Sequence, residues 1–187
     1  MSYQSFEQVL QKCHTEEKEF WQVILEDDMA ERNVSEEDSM EHMRATWDAM
    51  LLAAATYEGN LNSSSGLVGG DGRRMEEYIH SAGIPSLCGE YVDTCIAGAL
   101  QMGESNACMK RIVAAPTAGS CGVVPAVFLT LEEEKHFSEE KMVEALYVAA
   151  GIGGVIANRA FLAGAAGGCQ AEIGSASAMA AGGVAYL

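Results

Sequence analysis

S-E-E-D-S-M-E-H-M-R-A-T-W-D-A-M-L-L-A-A, from Ser35 to Ala54, decides the fold class of this chain. Ser35 offers a hydroxyl to the first free backbone amides of a helix, and Glu36, Glu37 and Asp38 lie where the helix dipole favours negative charge. Met40, Met43, Trp47, Met50, Leu51 and Ala54 then return every three or four residues. That spacing lays one apolar stripe along a helix, and the stripe reads as core, not as a cofactor-binding face.

The same period extends outward in both directions. Upstream, Phe6, Val9, Leu10, Cys13, Phe20 and Ile24 mark an amphipathic helix. Downstream, the pattern breaks at Gly59 and Asn60, and N-S-S-S-G-L-V-G-G-D-G (Asn62 to Gly72) is a loop by composition. A short helix is expected from Arg73 to His80, stopping near Gly83 and Pro85. Another runs from Leu87 to Met102, with Gly103 ending it. Pro116 and Gly119 force a loop, a helix follows Pro125 to about Lys135, and Ser138 caps a last one with Met142, Val143, Leu146 and Ala150 inward. No run alternates as a half-buried strand does. The expectation is one all-α, glycine- and alanine-rich domain over 1–187, with acidic amphipathic helices over 1–58 and a motif-bearing core over 59–187.

Of the 187 residues 49% are hydrophobic but only 7% aromatic, and 20 are glycine. Small side chains on this scale imply helices packed at close range. The formal net charge of −16 repels phosphate backbones and anionic lipid surfaces, so nucleic acid and membrane are poor partners. From Ala149 to Leu187 only Arg159 and Glu172 are charged, so this stretch is expected to be buried; its repeated glycines argue against a membrane span. Met1 to Phe20 contains no continuous apolar run of the kind a secretory leader needs. With no leader expected, the six cysteines read as reduced thiols of a cytoplasmic protein.

Three loops combine glycine with polar or sulfur side chains: S-G-L-V-G-G-D-G (Ser65 to Gly72), A-A-P-T-A-G-S-C-G (Ala114 to Gly122) and A-G-G-C-Q-A-E-I-G (Ala166 to Gly174). Such loops expose backbone N–H groups that can cradle a carboxylate or phosphate; each is also consistent with a tight turn between helices. The nucleotide-binding glycine patterns, a C-x-x-C pair and a G-x-S-x-G elbow are all missing from the sequence. His14, His42, His80 and His136 show no metal-ligand spacing.

Together these blocks resemble the iron–sulfur-dependent L-serine dehydratases, also called L-serine ammonia-lyases. N-A-C-M-K-R-I-V-A-A-P-T-A-G-S-C-G-V-V-P (Asn106 to Pro125) and A-G-G-C-Q-A-E-I-G look like that family's signature, and S-G-L-V-G-G-D-G falls where its α-subunit has a G-G-D-G element. The resemblance covers roughly Thr56 to Leu187. It implies conversion of L-serine to pyruvate and ammonia on a 4Fe-4S cluster whose open iron acts as Lewis acid on the serine hydroxyl. It also implies a place in amino-acid catabolism and gluconeogenesis, and an oligomer that includes a β-subunit or β-domain. The family's G-C-Q-A-E cysteine corresponds to Cys169, with two further ligands expected beyond Leu187, so a chain of this extent is expected to be inactive alone and not to hold the cluster. Ser65, Gly66, Gly69, Gly70, Asp71, Gly72, Asn106, Thr117, Gly119 and Ser120 are the substrate-contact candidates, and no residue is singled out as the base that takes the α-proton.

Several positions keep plainer readings. Cys121 reads as a pocket-lining thiol and Cys88, Cys95 and Cys108 as core. Glu172 is read as orienting the Cys169 loop, through backbone N–H groups or Arg159. Two other function classes stay open: a pyridoxal phosphate lyase, for which Lys110 is the lysine near a motif, and a non-catalytic helical assembly module.

Overall fold

The computed structural model describes residues 2–81 and 86–187. Among these residues it is all-α, with nine α-helices, one 3₁₀ turn and no strand. The helices are α1 (Phe6–Glu16), α2 (Phe20–Arg32), α3 (Glu36–Ala55), α4 (Asp71–Ile79), α5 (Glu90–Ala107), α6 (Val123–Lys135), α7 (Glu139–Ala157), α8 (Gly164–Gly167) and α9 (Cys169–Tyr186), with the 3₁₀ turn at Ala118–Ser120 before α6. Contacts divide the chain into two compact units. One joins the chain up to Trp47 to Phe137–Leu187, the other is Asp48–His136, and the boundary falls inside α3. The expected stop near Gly83 and Pro85 lies outside the described residues.

In the first unit α2 packs on α7, and α7 on α9. Val9, Val23, Ile24, Met142, Val143, Leu146 and Tyr147 form its buried centre. The acidic N-terminal helices therefore share a core with the C-terminal ones, and the change of composition near residue 58 is not where packing divides. Small residues set the α7–α9 distance. A Cβ at Gly182 would collide with the Ile152 side chain, and one at Gly153 would stand 2.8 Å from Met179 Sδ.

In the second unit α5 packs against both α4 and α6. Ala97, Met102, Cys121, Val124 and Phe128 are buried there. Pro125 lies in the first turn of α6, where no amide hydrogen is needed, so this helix starts before the proline and not after it.

The structure corrects several sequence expectations. Residues 6–24 are not one helix. Glu17 takes φ 53°, and both its N–H and that of Lys18 return to Cys13 O. The helix then restarts through a capping box between Glu19 and Gln22. The break falls between Cys13 and Phe20, where the periodicity has no apolar member to report it. On α3, Trp47 and Met50 are buried, but Leu51 is 38% exposed. Ser39 takes a core position instead, because its hydroxyl bonds Asp28 (2.6 Å) and the buried Tyr147 hydroxyl (2.7 Å).

Gly103 does not end α5. The helix runs on to Ala107 and ends where Met109 turns to φ 59° and the Lys110 N–H reaches Ser105 O at 2.9 Å. The expected burial from Ala149 onward holds for Val155, Ala176, Met179 and Ala180. It fails between them: no residue from 157 to 174 is buried, and Phe161 is 74% exposed. Glycine and alanine gain little by leaving water, and α8 is a single turn. Among the described residues no helix is long and apolar enough to cross a membrane.

Candidate functional site

The second unit carries two of the three motif loops, and both are tied to the last turns of α5. Glu104 is 2% exposed. Its Oε1 accepts from the N–H groups of Asp71 and Gly72 (3.1 Å for Gly72), and its Oε2 accepts from the Tyr57 hydroxyl at 2.5 Å. A buried carboxylate thus caps the N-terminus of α4, meeting free amides and the positive end of the helix dipole together. Burial first, and then the Glu104 hydrogen bond, push the Tyr57 hydroxyl up to about 12. Gly72 permits this arrangement: a Cβ there would meet Gln101 Cγ at 2.7 Å and the Tyr57 hydroxyl at 3.0 Å.

Two residues on, Asn106 Nδ2 donates to Ala118 O (2.9 Å), the first residue of the 3₁₀ turn in the second motif. Ser120 is buried, with its hydroxyl bonded to Ala115 O (3.2 Å) and 3.2 Å from Thr117 Oγ1. The Cys121 thiol donates to Met102 O at 3.8 Å, and burial raises its pKa. Asn106, Thr117 and Ser120 are therefore brought together, while Gly119 lies exposed on the same turn.

The first motif loop is held largely by its own groups. Ser63 N–H donates to Val68 O and Gly66 N–H to Ser63 O, both at 2.9 Å; the Ser65 and Ser63 hydroxyls are 3.1 Å apart. Gly66 and Gly70 lie at φ 72° and 80°, and Gly69 at φ 153°. The Asp71 carboxylate pairs with Arg74 at the surface. Lys110, the lysine near a motif, is exposed and pairs with Glu58 across 3.6 Å.

Sequence reasoning missed Glu104 and Tyr57. The available signal was a carboxylate on the inward stripe of α5: Asp93, Ala97 and Glu104 are 4%, 5% and 2% exposed, at helical spacing. Beside them a cavity of about 690 Å³ is lined by Glu76, His80, Tyr91, Gln101 and Glu133 among others, with no Lys or Arg in its lining and none of the expected site residues.

The third motif loop belongs to the first unit. Cys169 is exposed at the first residue of α9, after Gly168 at φ 81°. A side chain at Gly164 would collide with the Glu172 carboxylate. Among the described residues no group of three or more His, Cys, Asp or Glu could hold a metal ion. Cys169 is one reachable sulfur donor, and these residues do not by themselves make up the ligand set of a cluster.

The family described as Serine dehydratase alpha chain matches residues 15–187. The chain belongs to this family. It is 38% identical over 159 residues to the probable L-serine dehydratase, alpha chain, of Bacillus subtilis, covering 85% of this chain and 52% of that protein. To the L-serine dehydratase, alpha chain, of Peptoniphilus asaccharolyticus it is 35% identical over 178 residues, covering 93% and 59%. An L-serine dehydratase of Helicobacter pylori is 39% identical over 116 residues, covering 61% of this chain and 25% of its own length. The chain thus spans 52% and 59% of the length of the first two relatives. No solved structure matches it.

Proposed function

We propose that the chain is the α portion of an L-serine dehydratase, which eliminates water from L-serine; the resulting aminoacrylate hydrolyses to pyruvate and ammonia. The observation that carries this reading is the convergence of two signature loops on one helix: Glu104 holds Asp71 and Gly72, and Asn106 holds Ala118. The relatives named L-serine dehydratase supply the reaction class. Ser65, Gly66, Gly69, Gly70, Asp71, Gly72, Asn106, Thr117, Gly119 and Ser120 are the proposed substrate contacts. The exposed thiol of Cys169 suits one ligand position of a 4Fe-4S cluster, the remaining ligands coming from residues other than those described. When bound, such a cluster supplies Lewis acidity toward a hydroxyl leaving group. The working assembly is proposed to be cytoplasmic and oligomeric, with a β-subunit or β-domain completing it.

The test is pyruvate formation from L-serine after anaerobic reconstitution with iron and sulfide. Turnover is expected from the assembly that supplies the remaining cluster ligands and the β portion. No pyruvate from the complete assembly would overturn the reading. A borohydride-trapped lysine adduct would favour pyridoxal phosphate chemistry instead.

A further inference from the structure

We infer that Glu104 is a positioning residue for the reaction proposed above: it fills the anion site at the start of α4 from within and so fixes the glycine loop for substrate. The inference rests on that reading of the reaction. Free amides at a helix N-terminus attract a carboxylate, and a glycine-rich loop before them invites the view that the substrate's carboxylate goes there. In this fold the Asp71 and Gly72 amides already hold one, on a side chain 2% exposed. The Tyr57 hydroxyl closes the other oxygen at 2.5 Å. Substrate must therefore meet this loop through groups other than the Asp71 and Gly72 amides, and the placement of those groups depends on the Glu104 anchor.

The anchor is specific in kind. Of the three hydrogen bonds, two come from backbone amides that no side-chain substitution removes, so the acceptor on α5 is the variable part. An amide oxygen at this position accepts from the same two N–H groups without the charge, whereas a methyl accepts from neither. Hydrogen bonds to a charged group are worth about 1.5–3 kcal/mol, a factor of roughly 10 to 150 in an equilibrium. The effect should fall on substrate affinity, since Glu104 holds the loop that is proposed to meet substrate.

The experiment compares Glu104→Ala and Glu104→Gln in the assembled dehydratase. Two readouts are needed: amide hydrogen exchange at residues 71 and 72, and the KM for L-serine against kcat with the cluster absorption monitored. For Glu104→Ala, exchange should quicken at both amides and KM rise at least roughly 10-fold, with unchanged cluster absorption. Glu104→Gln should restore most of the protection and most of the affinity. Quickened exchange with KM unchanged in a folded Glu104→Ala protein would overturn the positioning role. Unchanged exchange would overturn the anchor itself. Should Glu104→Ala fail to fold, Glu104→Met, which keeps the side-chain length but offers no oxygen acceptor, decides the matter by the same two readouts, and unchanged exchange and KM in it overturn the role. A wild-type assembly that releases no pyruvate from L-serine overturns the dehydratase reading, and the positioning role with it; the exchange readout alone still decides whether Glu104 anchors the loop.

Discussion

The loops Ser65–Gly72 and Ala166–Gly174 are alike in composition, each crowded with glycine and each leading into a helix, yet they are held in opposite ways. The first delivers its helix-start amides to a buried carboxylate and packs Gly72 against the Gln101 side chain and the Tyr57 hydroxyl. The second leaves Cys169 exposed at the start of α9, in a segment where no residue from 157 to 174 is buried. Glycine content alone thus says nothing about rigidity. What differs is whether a neighbouring helix offers a side chain to the freed backbone. The first loop is fixed by a neighbouring helix of its own unit, and the second stays open to solvent.

The contrast can be broken most sharply at Cys169. Cys169→Ala in the assembled enzyme should abolish both cluster absorption and turnover, with thermal stability unchanged. Cys13→Ala and Cys95→Ala should leave absorption and turnover largely intact; a Cys95 variant behaving like the Cys169 one would overturn the ligand assignment. Next comes packing. Phe128→Ala, at a side chain with no exposed surface in the second unit, should cost about 3–5 kcal/mol by denaturant titration. Phe161→Ala, 74% exposed beside the Cys169 loop, should stay within about 0.5 kcal/mol of wild type, and a larger loss would show that this segment is packed.

A smaller effect is expected at Gly70, at φ 80°. Gly70→Val should cost about 1–2 kcal/mol in backbone strain and raise the KM for L-serine while the cluster spectrum stays normal, circular dichroism separating this from unfolding. A further prediction concerns Tyr57, whose hydroxyl is pushed up to about 12 by burial and by Glu104. A raised tyrosine pKa favours the folded state while the hydroxyl keeps its proton. That contribution is whole below the ordinary value near 10 and is lost as pH rises toward about 12. Tyr57→Phe should therefore cost about 1 kcal/mol near neutrality and flatten the alkaline limb of the stability profile.

The fold class was legible because periodicity reports it directly: Trp47, Met50, Met142, Val143 and Leu146 are inward as their spacing requires. The break at Glu17 was not, since the capping residues that make it are polar and lie between apolar positions. Burial of the C-terminal segment was overestimated because low charge is not the same as apolar area. For the site, the three loops were visible as glycine clusters, and Asn106 was singled out beside its motif. Glu104 was hidden for a simple reason: a carboxylate inside an amphipathic helix looks like a solvent-facing residue until its stripe is compared with Asp93 and Ala97.

The mounting of both motif loops on α5 has a mechanical consequence. A helix advances by about 100° per residue, so it behaves as an indexed shaft on which Glu104 and Asn106 hold fixed angular settings. An insertion upstream of Gln101 would turn both settings together, dragging the two loops as a pair. One residue added between Glu104 and Asn106 would rotate the second by about 100° against the first and throw the two loops out of phase while each kept its own sequence intact.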